Sequence, residues 1–291
     1  MKRSWIASLT GAALAAAVAT AAPAQPAHNG DDPVEPFAIG EGLYYVGASD
    51  IAAYLIGDAK NGFILLDGGY ETTAPKILAS IRKLGFDPKQ VKILVNSHAH
   101  LDHAGGLAQL KAATGAPLYA SAQDAPLIEA GGKGDYYLGD RAPFPPAKVD
   151  RILRDGQRVS LGPYSLTAHV TAGHTKGCTT WTFPLKVDGQ VRQALVLCSL
   201  TILPGAKLVN NAAYPAIAAD FEKTYATLKA LPCDVFLGSH GGFWRMRDKR
   251  AAAAPGKPSP FVDPDGCRAY LAKAEAGFRA ELAKQQAAAG R

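Results

Sequence analysis

The apolar positions of this chain fall into short strand-like runs that alternate with helical patterns. A first group of runs predicts the strands Leu43–Val46, Ala53–Ile56, Phe63–Leu66, Val91–Val95 and Pro117–Ala120. Apolar side chains at helical spacing over residues 74–84 predict an amphipathic helix, which Gly85 ends. A second helix is predicted from about Gly105 to Ala113.

A second strand-rich half follows an irregular segment. Residues 131–150 are rich in Gly, Pro and Asp and are too many for a simple connection. Beyond them, the predicted strands are Arg158–Leu161, Tyr164–Val170, Thr179–Leu185, Gln193–Leu197 and Val235–Leu237. Asp188-Gly189 predicts a hairpin turn, and helices are predicted at about 215–231 and around 271–282. Two strand-rich halves with helices predict one α/β domain of two stacked sheets with helices outside.

The densest group of metal-binding side chains follows the strand Val91–Val95. It has the pattern H-x-H-x-D-H and consists of His98, His100, Asp102 and His103. Imidazole and carboxylate groups suit zinc. Two more histidines, His174 and His240, follow apolar stretches far downstream. Surface loops also collect such residues by chance, and a lone histidine is usually structural, but a motif this dense needs partners. The sequence therefore predicts a metal site.

The motif resembles that of the metallo-β-lactamase superfamily, which includes thioesterases, lactonases, nucleases and β-lactamases. Further segments are similar to those of subclass B3 metallo-β-lactamases, namely Ala172–Trp181, Ser199–Thr201 and Asp234–Leu237 before His240. The resemblance implies an αββα sandwich of two mixed β-sheets flanked by helices. It also implies a periplasmic zinc enzyme that confers antibiotic resistance. Such an enzyme hydrolyses the β-lactam amide of penicillins, cephalosporins and carbapenems with a metal-bound hydroxide.

The same resemblance implies two zinc ions per chain. It assigns three ligands to the first ion and three to the second, respectively His98, His100 and His174, and Asp102, His103 and His240. Three protein ligands leave a position open for water, as catalytic zinc sites require. Asp102 is also expected to act in catalysis by holding the attacking water and handling protons. Asp67 is expected either to orient the metal loop or only to turn the chain before Gly68.

The strand end after Leu197 separates the possible functions. Thioesterases and lactonases of the superfamily place a metal-bridging aspartate here, and this sequence has no carboxylate between Asp188 and Asp220. Ser199 and Thr201 share one side of an extended strand, and we expect their hydroxyls to bind the carboxylate of a β-lactam. Hydroxyls that are bonded to the local backbone are the alternative.

Four cysteines allow three disulfide connectivities. We favour the pairs Cys178–Cys198 and Cys233–Cys267, since the first would tie two strands that approach the metal site and the second would fix the last helix. The same pairs resemble those of some subclass B3 enzymes. The alternative is that Cys198 is a metal ligand, as a cysteine is in subclasses B1 and B2, with Cys178 unpaired.

Residues 1–24 have a basic start, an apolar Ala-rich stretch and the small residues Ala22 and Ala24 at a cleavage site, and they predict a signal peptide. A retained membrane anchor is the alternative. Residues 25–291 then form the single mature domain, with a formal net charge of +4 from 29 basic and 25 acidic residues. This mild charge gives little support for nucleic-acid binding. We expect a periplasmic monomer that acts on a small-molecule β-lactam and leaves the membrane after cleavage.

Three other functions are compatible with parts of the pattern. A lactonase or thioesterase of the same fold is the main alternative, although the bridging aspartate is missing. An oxidoreductase of the di-iron branch would have a glutamate where this chain has His100. A non-catalytic zinc-binding module would not need open coordination positions.

Overall fold

The computed structural model describes Met1 and residues 29–290. The predicted signal peptide, apart from Met1, lies outside the described residues. The strands are β1 Phe37–Gly40, β2 Leu43–Tyr45, β3 Tyr54–Asp58, β4 Gly62–Leu66, β5 Val91–Val95, β6 Leu118–Ser121, β7 Arg151–Leu153, β8 Arg158–Leu161, β9 Tyr164–Val170, β10 Thr179–Val187, β11 Gln190–Leu197 and β12 Val235–Gly238. The α-helices are α1 Ala74–Lys83, α2 Leu101–Ala104, α3 Leu107–Thr114, α4 Ala125–Glu129, α5 Ile217–Ala230, α6 Met246–Ala252 and α7 Pro264–Ala289.

The strands form two mixed sheets. Strands β1 to β7 follow one another in a seven-stranded sheet, antiparallel from β1 to β4 and parallel from β4 to β7. The second sheet has the order β12-β11-β10-β9-β8, in which only β11 and β12 are parallel. Two mixed sheets flanked by helices confirm the αββα sandwich that the sequence predicts.

Strand β4 is buried on both faces, and its side chains alternate between two apolar cores. Ile64 and Leu66 belong to the core that includes the second sheet, whereas Phe63 and Leu65 belong to the core that includes α1 and α3. A strand covered on both faces is apolar throughout, as the run GFILL is. This packing fixes the end of β4, after which the chain turns towards the predicted metal loop.

The helix predicted from about Gly105 to Ala113 is present as α3, but it begins two residues later, and a short helix that was not predicted precedes it. The short helix α2 precedes Gly105 and Gly106, and α3 follows them. A Cβ atom on Gly106 would lie 2.2 Å from the carbonyl oxygen of Gly68, and the N–H of Gly106 donates to the carbonyl of Gly69 at 2.9 Å. Only glycine allows this approach. The close packing joins the end of the metal motif to the turn after β4.

The segment before β1 is anchored on the start of α1. Asp31 is buried, and its carboxylate accepts hydrogen bonds from Thr73 Oγ1 and Lys76 Nζ, both at 2.6 Å. The carbonyl of Gly30 accepts from the N–H groups of Asp50, at 2.9 Å, and Ile51, at 3.2 Å. The polar segment expected before the first strand therefore has a defined position against the fold.

The remaining predicted elements are close to those observed. The hairpin turn at Asp188-Gly189 is confirmed, since both residues have positive φ, 51° and 74°, and join β10 to β11. Short elements that the pattern did not predict are β1, β7, α2, α4 and α6. Among the described residues, no helix combines the length and the apolar character needed to cross a membrane.

Candidate metal centre

The predicted metal motif lies in a loop whose start is fixed by hydrogen bonds to Asp67. Asp67 directly follows β4 with φ of 68°, and its Oδ1 accepts from the N–H of Ser97 at 2.6 Å and from Asn96 Nδ2 at 2.9 Å. Its Oδ2 lies 3.6 Å from His103 Nδ1. Asp67 therefore does both things considered from the sequence, because it turns the chain and contacts the metal loop.

One group of donor atoms comes from His98, His100 and His174. Their nearest ring nitrogens lie within 4.8 Å of one another, and His100 Nδ1 is 3.1 Å from His174 Nε2. Burial lowers the pKa of His98 well below its ordinary value and that of His174 to about 3. These imidazoles stay neutral at physiological pH, which is the state that binds a metal ion.

A second group consists of Asp102, His103 and His240. Asp102 Oδ2 lies 3.2 Å from His103 Nε2 and 3.4 Å from His240 Nε2, and the two histidine nitrogens are 3.2 Å apart. Burial alone would raise the pKa of Asp102, but His103 and His240 hold it well below its usual range. Burial opposes protonation of His103, yet Asp102 and Asp67 raise its pKa to about 10. Asp102 Oδ2, His103 Nε2 and His240 Nε2 thus form a triangle, and the negative charge of Asp102 favours a cation between them.

The spacing of the second group, and of the closest pair in the first group, fits zinc. Ligands about 2.0–2.1 Å from a tetrahedral zinc ion lie about 3.4 Å from each other. The nitrogen and oxygen pairs of the second group are 3.2, 3.2 and 3.4 Å apart, and the closest pair of the first group is 3.1 Å apart. Imidazole and carboxylate are also the donors that zinc prefers. All six residues expected from the sequence are thus brought together in two groups of three.

Two carboxylates that the sequence reasoning missed contact the outer nitrogens of these histidines. Asp50 Oδ2 lies 2.9 Å from His240 Nδ1, and the hydrogen bond with His240 lowers the pKa of Asp50. Asp135 Oδ2 lies 3.6 Å from His100 Nε2. Carboxylates in this position fix the orientation of metal-binding histidines. Neither residue belongs to a local motif, so the sequence carries no signal for them.

A third missed carboxylate, Asp124, joins the two histidine loops of the first group. Its Oδ2 accepts from the N–H of Ala99 at 3.0 Å and from Thr175 Oγ1 at 2.9 Å, and its Oδ1 accepts from the N–H of Gly177 at 2.8 Å. Ala99 stands between His98 and His100, and Thr175 follows His174. The side chain is fully buried, and burial raises its pKa.

The cysteines form two disulfides, Cys178–Cys198 and Cys233–Cys267. The sulfur of Cys198 is therefore bonded to Cys178, against the alternative in which it is a free metal ligand. Ser199 is buried, and its Oγ accepts from the N–H of Thr201 at 3.2 Å. The backbone carbonyl of Thr201 accepts from His174 Nδ1 at 2.7 Å, while its side chain is exposed. This strand end thus adjoins the first histidine group.

The fold and this site define a class of protein that comparisons with known proteins identify. The sequence model of the metallo-beta-lactamase superfamily matches residues 46–187. The FEZ-1 metallo-beta-lactamase from Legionella gormanii is 43% identical with a TM-score of 0.86, over 88% of this chain and 98% of that one. BJP-1, a subclass B3 enzyme of Bradyrhizobium japonicum, is 40% identical with a TM-score of 0.83, over 89% and 97%.

Curated relatives match a smaller part of the chain. The hydroxyacylglutathione hydrolase of Fuscovulum blasticum is 29% identical over 135 residues, which are 46% of this chain and 44% of that protein. That of Rhodospirillum rubrum is 31% identical over 110 residues, 38% of this chain and 35% of that protein. The chain thus spans less than half the length of these relatives.

This protein belongs to the metallo-β-lactamase superfamily, as the resemblance noted in its sequence implies. It is a hydrolase of that superfamily, and the structures to which it is similar over most of its length include the B3 metallo-β-lactamases BJP-1 and LRA-12.

Proposed function

We propose that this protein is a zinc-dependent β-lactamase that hydrolyses the ring amide of penicillins, cephalosporins and carbapenems. One observation carries the proposal. Two groups of three metal-binding side chains, with donor atoms 3.2–3.4 Å apart in the second and within 4.8 Å of one another in the first, lie in a chain similar over 88–89% of its length to metallo-β-lactamases that are 40–43% identical. The di-zinc LRA-12 enzyme from an Alaskan soil metagenome is 33% identical with a TM-score of 0.82.

In this proposal each group holds one zinc ion. The three histidines of the first group bind one ion, and Asp102, His103 and His240 bind the second. When bound, zinc supplies a Lewis acid for the substrate carbonyl and lowers the pKa of water to about 7. Asp102 is anionic at neutral pH, so its carboxylate accepts a hydrogen bond from the attacking water. As the bond from the water oxygen to the carbonyl carbon forms and the ring C–N bond breaks, the carboxylate would take the proton of that water and pass it to the departing ring nitrogen.

The hydroxyls of Ser199 and Thr201 are proposed to bind the carboxylate next to the β-lactam ring. Ser199 Oγ accepts a hydrogen bond from the N–H of Thr201, which leaves its O–H free to donate to an anion. Thr201 is exposed beside the carbonyl that accepts from His174. The backbone of Thr201 therefore adjoins the first histidine group and is bonded to Ser199, and we place the carboxylate next to the reacting amide at this strand end.

The proposed location is the periplasm, with residues 1–24 removed as a signal peptide. Two disulfides support export, because such bonds form in oxidising compartments. The exported enzyme is proposed to act as a monomer and to protect its cell against β-lactam antibiotics.

The proposal is tested with the purified chain 25–291 and two substrates, a carbapenem and a chromogenic cephalosporin. We expect hydrolysis of both, loss of activity with a chelator, and recovery with zinc but not with magnesium. Equilibrium dialysis should give two zinc ions per chain. Full activity of zinc-free protein, or a zinc-loaded protein that leaves both substrates intact, would refute the proposal.

A second candidate is a thioester hydrolase, which the hydroxyacylglutathione hydrolases among the relatives favour. Against it stands the lack of any carboxylate between Asp188 and Asp220, where such enzymes have their bridging aspartate. A hydroxyacylglutathione thioester, assayed beside the cephalosporin at equal zinc loading, decides between the two. A higher kcat/KM for the thioester would replace the first proposal with the second.

A further inference from the structure

The irregular segment between α4 and β7 contains three consecutive residues that each contact a different loop around the metal centre. They are Asp135, Tyr136 and Tyr137, and we refer to them as the clasp. The clasp has no regular secondary structure apart from one isolated bridge between Asp135 and Gly139. Its contacts therefore come from side chains that leave one short stretch of chain in different directions.

Asp135 is the member that faces a proposed metal ligand. Its side chain is only 3% exposed, and its Oδ1 accepts from the N–H groups of Tyr137 at 2.8 Å and Leu138 at 2.6 Å. These two bonds fix the carboxylate so that Oδ2 points to His100 Nε2, 3.6 Å away. His100 then has only Nδ1 for a metal ion, and this atom is the one that lies 3.1 Å from His174 Nε2.

The two tyrosines contact two other loops, one that carries His174 and one that follows Thr201. Tyr136 Oη donates to the carbonyl oxygens of His174 at 3.1 Å and Gly173 at 3.3 Å. Tyr137 Oη donates to the carbonyl oxygen of Pro204, three residues after Thr201. The clasp thus connects the His100 loop, the His174 loop and the segment that carries the proposed carboxylate-binding hydroxyls.

We propose that the clasp positions the first metal site and the adjoining substrate-binding segment relative to each other. Asp135 acts through His100, because a carboxylate that faces Nε2–H fixes both the ring orientation and the tautomer with Nδ1 free for the metal. Tyr137 acts through Pro204 on the segment of Thr201. The part that concerns Tyr137 rests on the proposed β-lactamase function, whereas the part that concerns Asp135 requires only metal binding.

Asp135→Asn tests the metal part. Asparagine keeps one oxygen for the N–H groups of Tyr137 and Leu138, but it turns an NH₂ donor towards the Nε2–H of His100. We expect one zinc equivalent to bind about 10- to 100-fold more weakly in competition with a chromophoric chelator, and the other to bind as in the parent. In the zinc-loaded parent, the Nε2 proton of His100 should give an NMR signal that Asp135→Asn loses.

The matched control is Asp140→Asn. Asp140 lies in the same segment and accepts from the N–H of Gly134 at 2.9 Å, but it is exposed and this hydrogen bond stays within the segment. The Asp140→Asn variant should retain the zinc affinities of both sites and the NMR signal of the His100 Nε2 proton. Unchanged zinc binding in Asp135→Asn, or an equal loss in Asp140→Asn, would overturn the positioning role of Asp135.

Tyr137→Phe tests the substrate part. We expect KM for carboxylate-bearing β-lactams to rise about 2- to 10-fold, the effect of one hydrogen bond, with kcat and zinc content as in the parent. Tyr164→Phe is the control, because that hydroxyl donates to Asp58 at the far end of β3. An unchanged KM would overturn the role of Tyr137. A parent without β-lactamase activity would instead overturn the proposed function and leave the zinc measurements on Asp135 decisive.

Discussion

The buried carboxylate of Asp124 is expected to stabilise the metal centre by joining its two histidine loops. Asp124→Asn keeps one carbonyl oxygen, which can still accept from the N–H of Ala99 and the hydroxyl of Thr175. Its NH₂ group then faces the N–H of Gly177, so one buried donor loses its acceptor. The backbone of Gly177 packs closely against this side chain, since a Cβ atom on Gly177 would lie 2.6 Å from Asp124 Cγ, so the two groups have little room to move apart.

The magnitude follows from these contacts. A buried donor left without a partner costs about 1–3 kcal/mol. Burial raises the pKa of Asp124, which means that the carboxylate has a desolvation cost that asparagine lacks. We therefore expect Asp124→Asn to lower the free energy of unfolding by about 1–2 kcal/mol, within the lower part of that range. In a chain of this size the corresponding fall in Tm is about 2–8 °C.

The assay is thermal unfolding followed by circular dichroism, on metal-free and zinc-loaded protein. Asp124→Ala is the companion variant, because it leaves all three donors without their acceptor and should lower Tm more than Asp124→Asn does. Zinc binding to the first histidine group should also weaken in both variants. A metal-free Asp124→Asn protein with the Tm of the parent, or a more stable alanine variant, would refute the reasoning.

Three further substitutions test the site. His240→Ala should weaken one zinc site and spare the other, as measured by equilibrium dialysis, and two unchanged affinities would exclude His240 as a ligand. Ser199→Ala should keep both zinc ions and raise KM for carboxylate-bearing β-lactams, as the loss of a bond to a charged group, about 1.5–3 kcal/mol, predicts. Cys198→Ser should lower the stability by about 2–4 kcal/mol and free the thiol of Cys178, as mass spectrometry reports. Loss of a zinc ion in Cys198→Ser would contradict the disulfide role.

Much of the fold follows from the apolar pattern, because the long strands and helices are buried on defined faces. The run at β4 and the hairpin at Asp188-Gly189 are examples in which the local signal and the final structure agree. The helix after the metal motif is different. Its start at Leu107 rather than at Gly105 depends on the turn after β4, which packs against Gly105 and Gly106 from more than thirty residues away in the sequence, so helical spacing alone did not predict it.

The residues of the candidate site likewise differ in whether the local sequence predicts them. The H-x-H-x-D-H motif is local and supplies four of the six side chains, whereas His174 and His240 were assigned through the resemblance of their segments to the family. Asp50, Asp124 and Asp135 could not be predicted, since each contacts its histidine loop across 25 to 190 residues of sequence. An aspartate in a loop has no pattern that distinguishes such a contact from a solvated surface charge.

The anchored segment before β1 has a practical consequence for anyone who engineers this protein. Asp31 fixes the segment on α1, Gly30 binds the backbone of Asp50, and the carboxylate of Asp50 contacts His240. Trimming or fusing the chain near Asn29 therefore reaches a proposed zinc ligand through two successive contacts, from Gly30 to Asp50 and from Asp50 to His240. The last turn of α7 is exposed, so an affinity tag or a fusion partner belongs at that end of the chain.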